Sequence, residues 1–467
     1  MVFASLEFLL LFFPLFLVAY AVTPVGGRNA TLLAGSWIFY AWWSPPYLLM
    51  LIALTALTWG GGLLLARGAA PQRQRVQLAA LITVLVGILA WFKYANILVE
   101  TLNTALGWAG ALPLPWQKVA LPIGLSFIVL QAISYLVDVY RGTVTAQRSF
   151  VAFAAYKAMF GQLIAGPIIR YDWVKREIGS RRFGWDGFCA GAWRFMMGIS
   201  MKVLIADTLA PVANLVFAQS EPSFIDAWLG CGAYTLQLFF DFAGYSAMAI
   251  GIAQMLGFHF PENFHHPYLA RSIQDFWRRW HLSLSSWIRD YMYIPMGGNR
   301  GGSFATYRNL LLTMAIAGLW HGGDSWNYLL WGIAHGLALC CARAWSGAGY
   351  SMPAPLARIA TLLFVMLAWT LFRAHDAGGA LRMYAGQFGL QGFGLGDALA
   401  VELRPAHALA GLLGIACVVW PAVGPRLAQR AGPRLAAIGA LWPVPAFLLS
   451  FALIASRGAV PFLYFQF

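Results

Sequence analysis

Apolar positions along the chain come in long blocks. Runs able to cross a bilayer, which takes about 20 residues at a rise of 1.5 Å, occupy 5–22, 46–66, 76–98, 119–139, 188–218, 225–256, 326–345, 356–373, 407–424 and 435–455. Shorter runs lie at 30–43, 150–169 and 309–320. The pattern predicts an all-α, polytopic integral membrane protein of about 10–13 transmembrane or re-entrant helices. Ser44-Pro45-Pro46 is expected to turn a hairpin between 30 and 66. Ser5 to Ala21 ends in Ala19-Tyr20-Ala21 like a signal peptide, but carries Glu7 and no preceding Lys or Arg, so it is expected to be a retained span.

Basic residues orient these blocks. Arg28, Arg67, Arg73, Arg75, Arg141 and Arg148 can all face the cytoplasm if the N-terminus is outside. Arg170, Lys175, Arg176, Arg181 and Arg182 would then fall outside if 150–169 crossed. That stretch, with Gly161, Gly166 and Pro167, is therefore expected to enter and return on one side, placing the 170–182 cluster in the cytoplasm.

Composition agrees: the 467 residues are 60% hydrophobic and 10% charged, against about 25% charged in soluble domains. A disordered chain, a secreted disulfide scaffold and a cytosolic enzyme are excluded. The net charge of +14 suits cytoplasmic loops rather than nucleic acid. Cys189, Cys231, Cys340, Cys341 and Cys417 have no paired spacing and read as packing residues. With no repeat and no long linker, 1–467 reads as a single membrane domain.

Chemistry concentrates at 257–308, where six Arg, a group of His and several Trp and Tyr interrupt the apolar chain, and which is expected to be largely cytoplasmic because Arg gathers near span ends. At 100° per residue, Arg278, His281 and Ser285 fall within about 60° of Gln274, with Ile273, Trp277, Trp280, Leu284 and Trp287 adjoining. This predicts an amphipathic interfacial helix whose Trp residues sit at headgroup level, and which can also present His281 to a cavity. Its arginines, Arg278 and Arg279, suit the phosphates of lipid or of a nucleotide-like carrier. Gly297-Gly298-Asn299-Arg300-Gly301-Gly302 reads as a flexible turn, with a backbone anion nest as the alternative.

An apolar helix through Leu310–Leu319 is expected to stop at Trp320-His321-Gly322-Gly323, with Asp324-Ser325 capping the next. An ionisable side chain at such a break is a functional candidate. A histidine bonding a freed carbonyl at the helix end is the plainer reading, and His335, inside a continuous helix, is a weaker functional candidate. No H-E-x-x-H, G-x-S-x-G or P-loop is present and no metal site is expected. The chemistry left open is a neutral imidazole taking a proton from a hydroxyl that attacks a thioester or ester, with Trp320 limiting water.

Several strings carry a resemblance. Leu121-Pro122-Ile123-Gly124-Leu125-Ser126-Phe127, Gln131 to Gly142, Ala165-Gly166-Pro167, Phe240 to Ser246, Glu262-Asn263-Phe264, Phe276-Trp277-Arg278-Arg279-Trp280-His281, Arg289-Asp290-Tyr291, Gly297 to Gly302 and Gly318-Leu319-Trp320-His321-Gly322 follow in order. The chain resembles the membrane-bound O-acyltransferase (MBOAT) family, in its bacterial branch of alginate O-acetylation membrane proteins, with a core signature region at 225–345. Ala247 stands where that branch usually has Asp.

The resemblance implies a fold around a narrow central passage, an essential His321 and an assisting His281. Substrate contacts are expected from Trp320, Arg278, Arg279, Trp277 and Asn299. It implies no permanently bound cofactor, a donor that is acetyl-CoA or a phosphopantetheine-carrier thioester, and transfer across the bacterial inner membrane. The onward partner is expected to be a periplasmic or membrane-anchored SGNH-type acetyltransferase, and the product an O-acetylated exopolysaccharide, alginate first. Cellulose, peptidoglycan and teichoic acid are alternative acceptors. A secondary transporter or flippase is the alternative class, since broken helices and intramembrane polar residues also mark substrate paths.

Overall fold

The computed structural model describes residues 1–68, 70–163 and 166–463, with backbone alone over 426–438. It is helical, with no strand among the described residues. Among the described residues six helices are long and apolar enough to cross a membrane: Pro45–Leu65, Pro71–Trp108, Trp185–Ala218, Phe224–Met255, Ala354–Arg373 and Pro405–Pro425. The protein is a multi-pass membrane protein. Phe224–Met255 is 94% buried in its apolar window and Pro71–Trp108 only 17%, so apolar residues serve packing in the first and lipid contact in the second. The 119–139 run starts late as a helix, at Leu125, because Pro122 and a left-handed Gly124 (φ +74°) precede it. The last helix is Pro443–Arg457, since the preceding one runs on to Ala440.

The chain packs as two compact units, residues 1–195 with 248–261, and 196–247 with 262–467. In the first, the hairpin forms as expected: Arg28–Ala41 and Pro45–Leu65 join through an extended Ser44, with both prolines in the first turn. Its core includes Phe8, Phe12, Phe16, Phe39 and Phe160, with Phe16 edge-on to Phe160 at 5.0 Å. The 150–169 stretch breaks at a non-helical Met159 (φ −49°, ψ 113°) into Phe150–Ala158 and Phe160–Leu163, each too short to span. Ile164 and Ala165 lie outside the described residues. Lys157 is fully buried and donates to the Ile128 carbonyl. Arg181 is an interior anchor, donating to Tyr20 Oη (2.6 Å) and Asn29 Oδ1 (2.6 Å), unlike its exposed neighbour Arg182.

In the second unit Gly302–His321 and Asn327–Gly347 form a tight hairpin. A Cβ on Gly318 would lie 2.3 Å from the Tyr328 carbonyl oxygen, and one on Gly332 2.3 Å from that of Met314. Gly318/Gly322 and Gly332/Gly336 are two small-xxx-small pairs that allow backbone approach. The cysteines are free, and only Cys231 is buried; Cys189, Cys341 and Cys417 are exposed, which corrects their reading as packing residues. Lipid can cover thiols on outer helix faces as protein would in a core.

Candidate functional site

His321 is the last residue of its helix, as the Gly-Gly break predicted, and Gly322 follows in extended conformation (φ −94°, ψ 149°). The next helix begins after Trp326, which takes the N-cap position in place of the expected Asp324-Ser325; Ser325 Oγ, one residue earlier, accepts from the Asn327 N–H (3.2 Å). The imidazole is buried and walled by rings: Trp320 at 4.8 Å, Trp331 at 5.3 Å and Phe372 at 5.4 Å. The glycines explain its position. Gly318, one turn before His321, and Gly322, directly after it, both meet the returning helix, so the residue is pinned from both sides.

Ring contacts lead onward from Trp331 to His335 (4.7 Å), from His335 to Phe276 (6.3 Å) and from Phe276 to Trp280 (5.5 Å), the neighbour of His281. His335 lies inside a continuous helix, as expected, and is fully buried. Trp277 Nε1–H donates to His335 Nδ1 (3.3 Å), which assigns the proton of this ring to Nε2. Trp277 also lines a small cavity of about 170 Å³ with Ser285, Arg289, Tyr293 and Thr313, whose buried hydroxyl has no partner.

The continuous amphipathic helix expected from Gln274 to Trp287 does not form. Ile273–Trp277, capped by Ser272, stops, and Leu282–Ile288 starts anew. Between them His281 takes a left-handed backbone (φ 45°). The cause is competition for backbone groups: His265 N–H takes the Arg279 carbonyl (2.9 Å), and the Leu282 N–H goes to the Asn263 carbonyl (2.9 Å).

Asn263 then organises the kink. Its Oδ1 accepts from Ser283 N (3.2 Å) and Ser283 Oγ (2.9 Å) and lies 3.1 Å from His281 Nδ1. An acceptor there assigns the imidazole proton to Nδ1 and leaves the lone pair on Nε2, which is buried without a partner. Burial pushes the His281 imidazolium down to about 3, so the ring is neutral at physiological pH. Phe242 packs edge-on against it at 4.7 Å.

The remaining candidates are dispersed. Arg279 donates to Asp275 Oδ1 (2.7 Å), and Arg278 is exposed. Asn299 is exposed and accepts from Tyr293 Oη (2.5 Å). In the glycine loop the N–H groups of Gly297, Gly298 and Arg300 bond to loop carbonyls, so these donors are not free for an anion nest. Asn309 Nδ2 braces the loop at the Met296 and Gly298 carbonyls (both 3.1 Å). Among the described residues no group of three His, Cys, Asp or Glu is placed to hold a metal.

Two features escaped sequence reasoning. One is the role of Asn263 at the kink, a residue legible only within the family string Glu262-Asn263-Phe264. The other is a buried ion cluster in which Lys202 Nζ lies 2.6 Å from Asp207 Oδ1 and 3.3 Å from Asp241 Oδ1, while Asp241 Oδ2 accepts from Leu463 N (2.7 Å). Phe462 beside it packs on Phe242, the ring that faces His281. The available signal was Asp241 itself, a carboxylate inside an apolar spanning helix.

A model of the membrane-bound O-acyltransferase family matches residues 144–372. The chain is 46% identical over 405 residues to a probable alginate O-acetylase of Azotobacter vinelandii, covering 86% of this chain and 81% of that one. It is 42% identical to the probable alginate O-acetylase of Pseudomonas putida over the full length of both. To the peptidoglycan O-acetyltransferase of Helicobacter pylori it is 34% identical, covering 81% and 77%.

Proposed function

The chain belongs to the membrane-bound O-acyltransferase family, and on that premise we propose that it takes an acetyl group from a cytoplasmic thioester and passes it across the bacterial inner membrane for O-acetylation of an exopolysaccharide, alginate first. Identity favours alginate over peptidoglycan, 42–46% against 34% in the relatives compared. The observation that carries the chemistry is His321, held at a helix end inside three aromatic rings.

In this reading His321 accepts the proton of an acceptor hydroxyl as its oxygen attacks the thioester carbonyl. A C–O bond forms and the C–S bond breaks. The imidazolium returns its proton to the departing thiolate, so the ring ends the cycle neutral. Trp320, Trp331 and Phe372 limit competing water. His281, neutral and fixed by Asn263, orients rather than initiates. Acetyl-CoA or a carrier-bound phosphopantetheine presents the same thioester, and an SGNH-type protein outside is the receiving partner.

Proteoliposomes with labelled acetyl thioester inside and acceptor outside test the reading. Label is expected on the outer acceptor only when the protein is present. Consumption of donor without acceptor labelling, with the SGNH-type partner supplied, would refute it.

A further inference from the structure

Apart from the histidines, the second unit holds a long apolar groove of about 800 Å³, walled by Phe224–Met255, Ala354–Arg373 and the Pro405 helix. Its wall on the Pro405 helix and the turn before it runs from Leu403 to Val419, about 24 Å if helical throughout. That exceeds the depth of one leaflet's hydrocarbon, about 15 Å. Small residues open it. A Cβ added at Gly232 or at Gly411 would meet nothing within 4 Å, so both glycines leave space where most helix residues would fill it.

One guanidinium enters this largely apolar space, whose lining also includes His407, its Nδ1 accepting from the Arg404 N–H (3.3 Å). Arg358 lines the groove, and its Nε is buried with no hydrogen-bond partner. A buried guanidinium N–H without an acceptor is costly, and hydrocarbon cannot satisfy it. Helix register locates it. Met366 is level with Cys231, whose thiol donates to its carbonyl (3.2 Å), and Arg358 lies eight residues earlier, about 12 Å along the axis. Gly414 abuts Leu236 and Phe240, so Arg358 sits toward the Ile415–Val419 end, leaving the length toward Leu403, apolar but for His407, for a chain.

We infer that this groove binds one anionic glycerophospholipid, with an acyl chain along Gly232 and Gly411 and the phosphate on Arg358. The three helices are membrane-spanning candidates, so the groove faces the bilayer's own lipids. A planar guanidinium matches a phosphate through paired N–H donors. An anionic headgroup is preferred because one basic contact near a membrane surface corresponds to about a fivefold preference.

The test uses full-length protein reconstituted in nanodiscs of equal parts phosphatidylglycerol and phosphatidylcholine, then extracted into detergent for native mass spectrometry. Wild type is expected to retain one phospholipid, phosphatidylglycerol over phosphatidylcholine by about fivefold. Arg358→Gln is expected to lose that preference. Gly411→Leu, and Gly232→Leu with it, are expected to remove the retained lipid while elution and helix content stay at wild-type values. Should Arg358→Gln fail to fold, Gly411→Leu still decides, since its side chain extends from open space. Retention of lipid unchanged in the glycine variants, no headgroup preference in wild type, or a preference that survives Arg358→Gln would overturn the assignment.

Discussion

The two candidate histidines are held by opposite means. His321 is confined by shape: it ends a regular helix whose glycines press against a neighbour, and three rings enclose it. His281 is confined by hydrogen bonds at a kink, where one asparagine supplies the acceptor for its ring and for the next helix's backbone. The difference teaches what each can tolerate. A site made by packing fails when volume changes, and one made by polar contacts fails when a single acceptor is removed.

The largest effect is expected at the shape-confined site. His321→Ala should lower acetyl transfer by about 10²–10⁴-fold, the range of a lost general base, with normal membrane insertion. Transfer from labelled donor measures it, and retention of most activity would remove His321 from the mechanism.

Next, Gly332→Ala places a methyl 2.3 Å from the Met314 carbonyl oxygen and should force the hairpin apart. Destabilisation of about 1–3 kcal/mol or more is expected, read as a lower thermal midpoint together with lost activity. A variant with wild-type stability and activity would dissolve the claim that packing sets His321. At the polar site, Asn263→Ala should cost about 10–100-fold in transfer. Activity equal to wild type would assign the kink to structure alone.

Trp320→Ala sharpens the contrast differently. If the ring excludes water, hydrolysis of the donor should rise severalfold relative to productive transfer, measured per folded protein. An unchanged ratio with less folded protein would make Trp320 a packing residue.

The last comparison concerns pH. His281 is held neutral in the fold, at about 3, against about 6.5 in the unfolded chain. Its contribution to stability is therefore complete above pH 6.5 and declines as acidity rises from there toward 3, because only the unfolded state binds the proton. His281→Asn, which also suits a left-handed backbone, should flatten the acid side of the stability profile. Parallel profiles would show that the ring is not buried in solution.

Most of the helices and the stop at His321 were legible because apolar blocks and Gly-Gly punctuation are local signals. Gly124 and Pro122 moved one boundary for equally local reasons. The kink at His281 was not legible, since it depends on backbone pairing with residues 263–265, and a 100° projection assumes an unbroken helix. The sequence likewise separated Lys202 from Asp241 by 39 positions, although the fold sets them 3.3 Å apart. Arg278, Arg279 and Asn299 were chosen for chemistry suited to phosphate or substrate, yet they sit on exposed or half-exposed ground away from the enclosed rings.

The positive φ at His281 also limits how this position can drift over generations. Glycine enters the left-handed region without strain, and asparagine and aspartate enter it more readily than other residues, but none carries an imidazole. Other side chains incur about 1–2 kcal/mol there. Backbone and chemistry thus select different replacements: a saturation library at 281 should divide into well-folded variants without the ring and strained variants that keep comparable bulk. Reversion to histidine would be the step that satisfies both demands, which makes the position easy to hold and hard to leave.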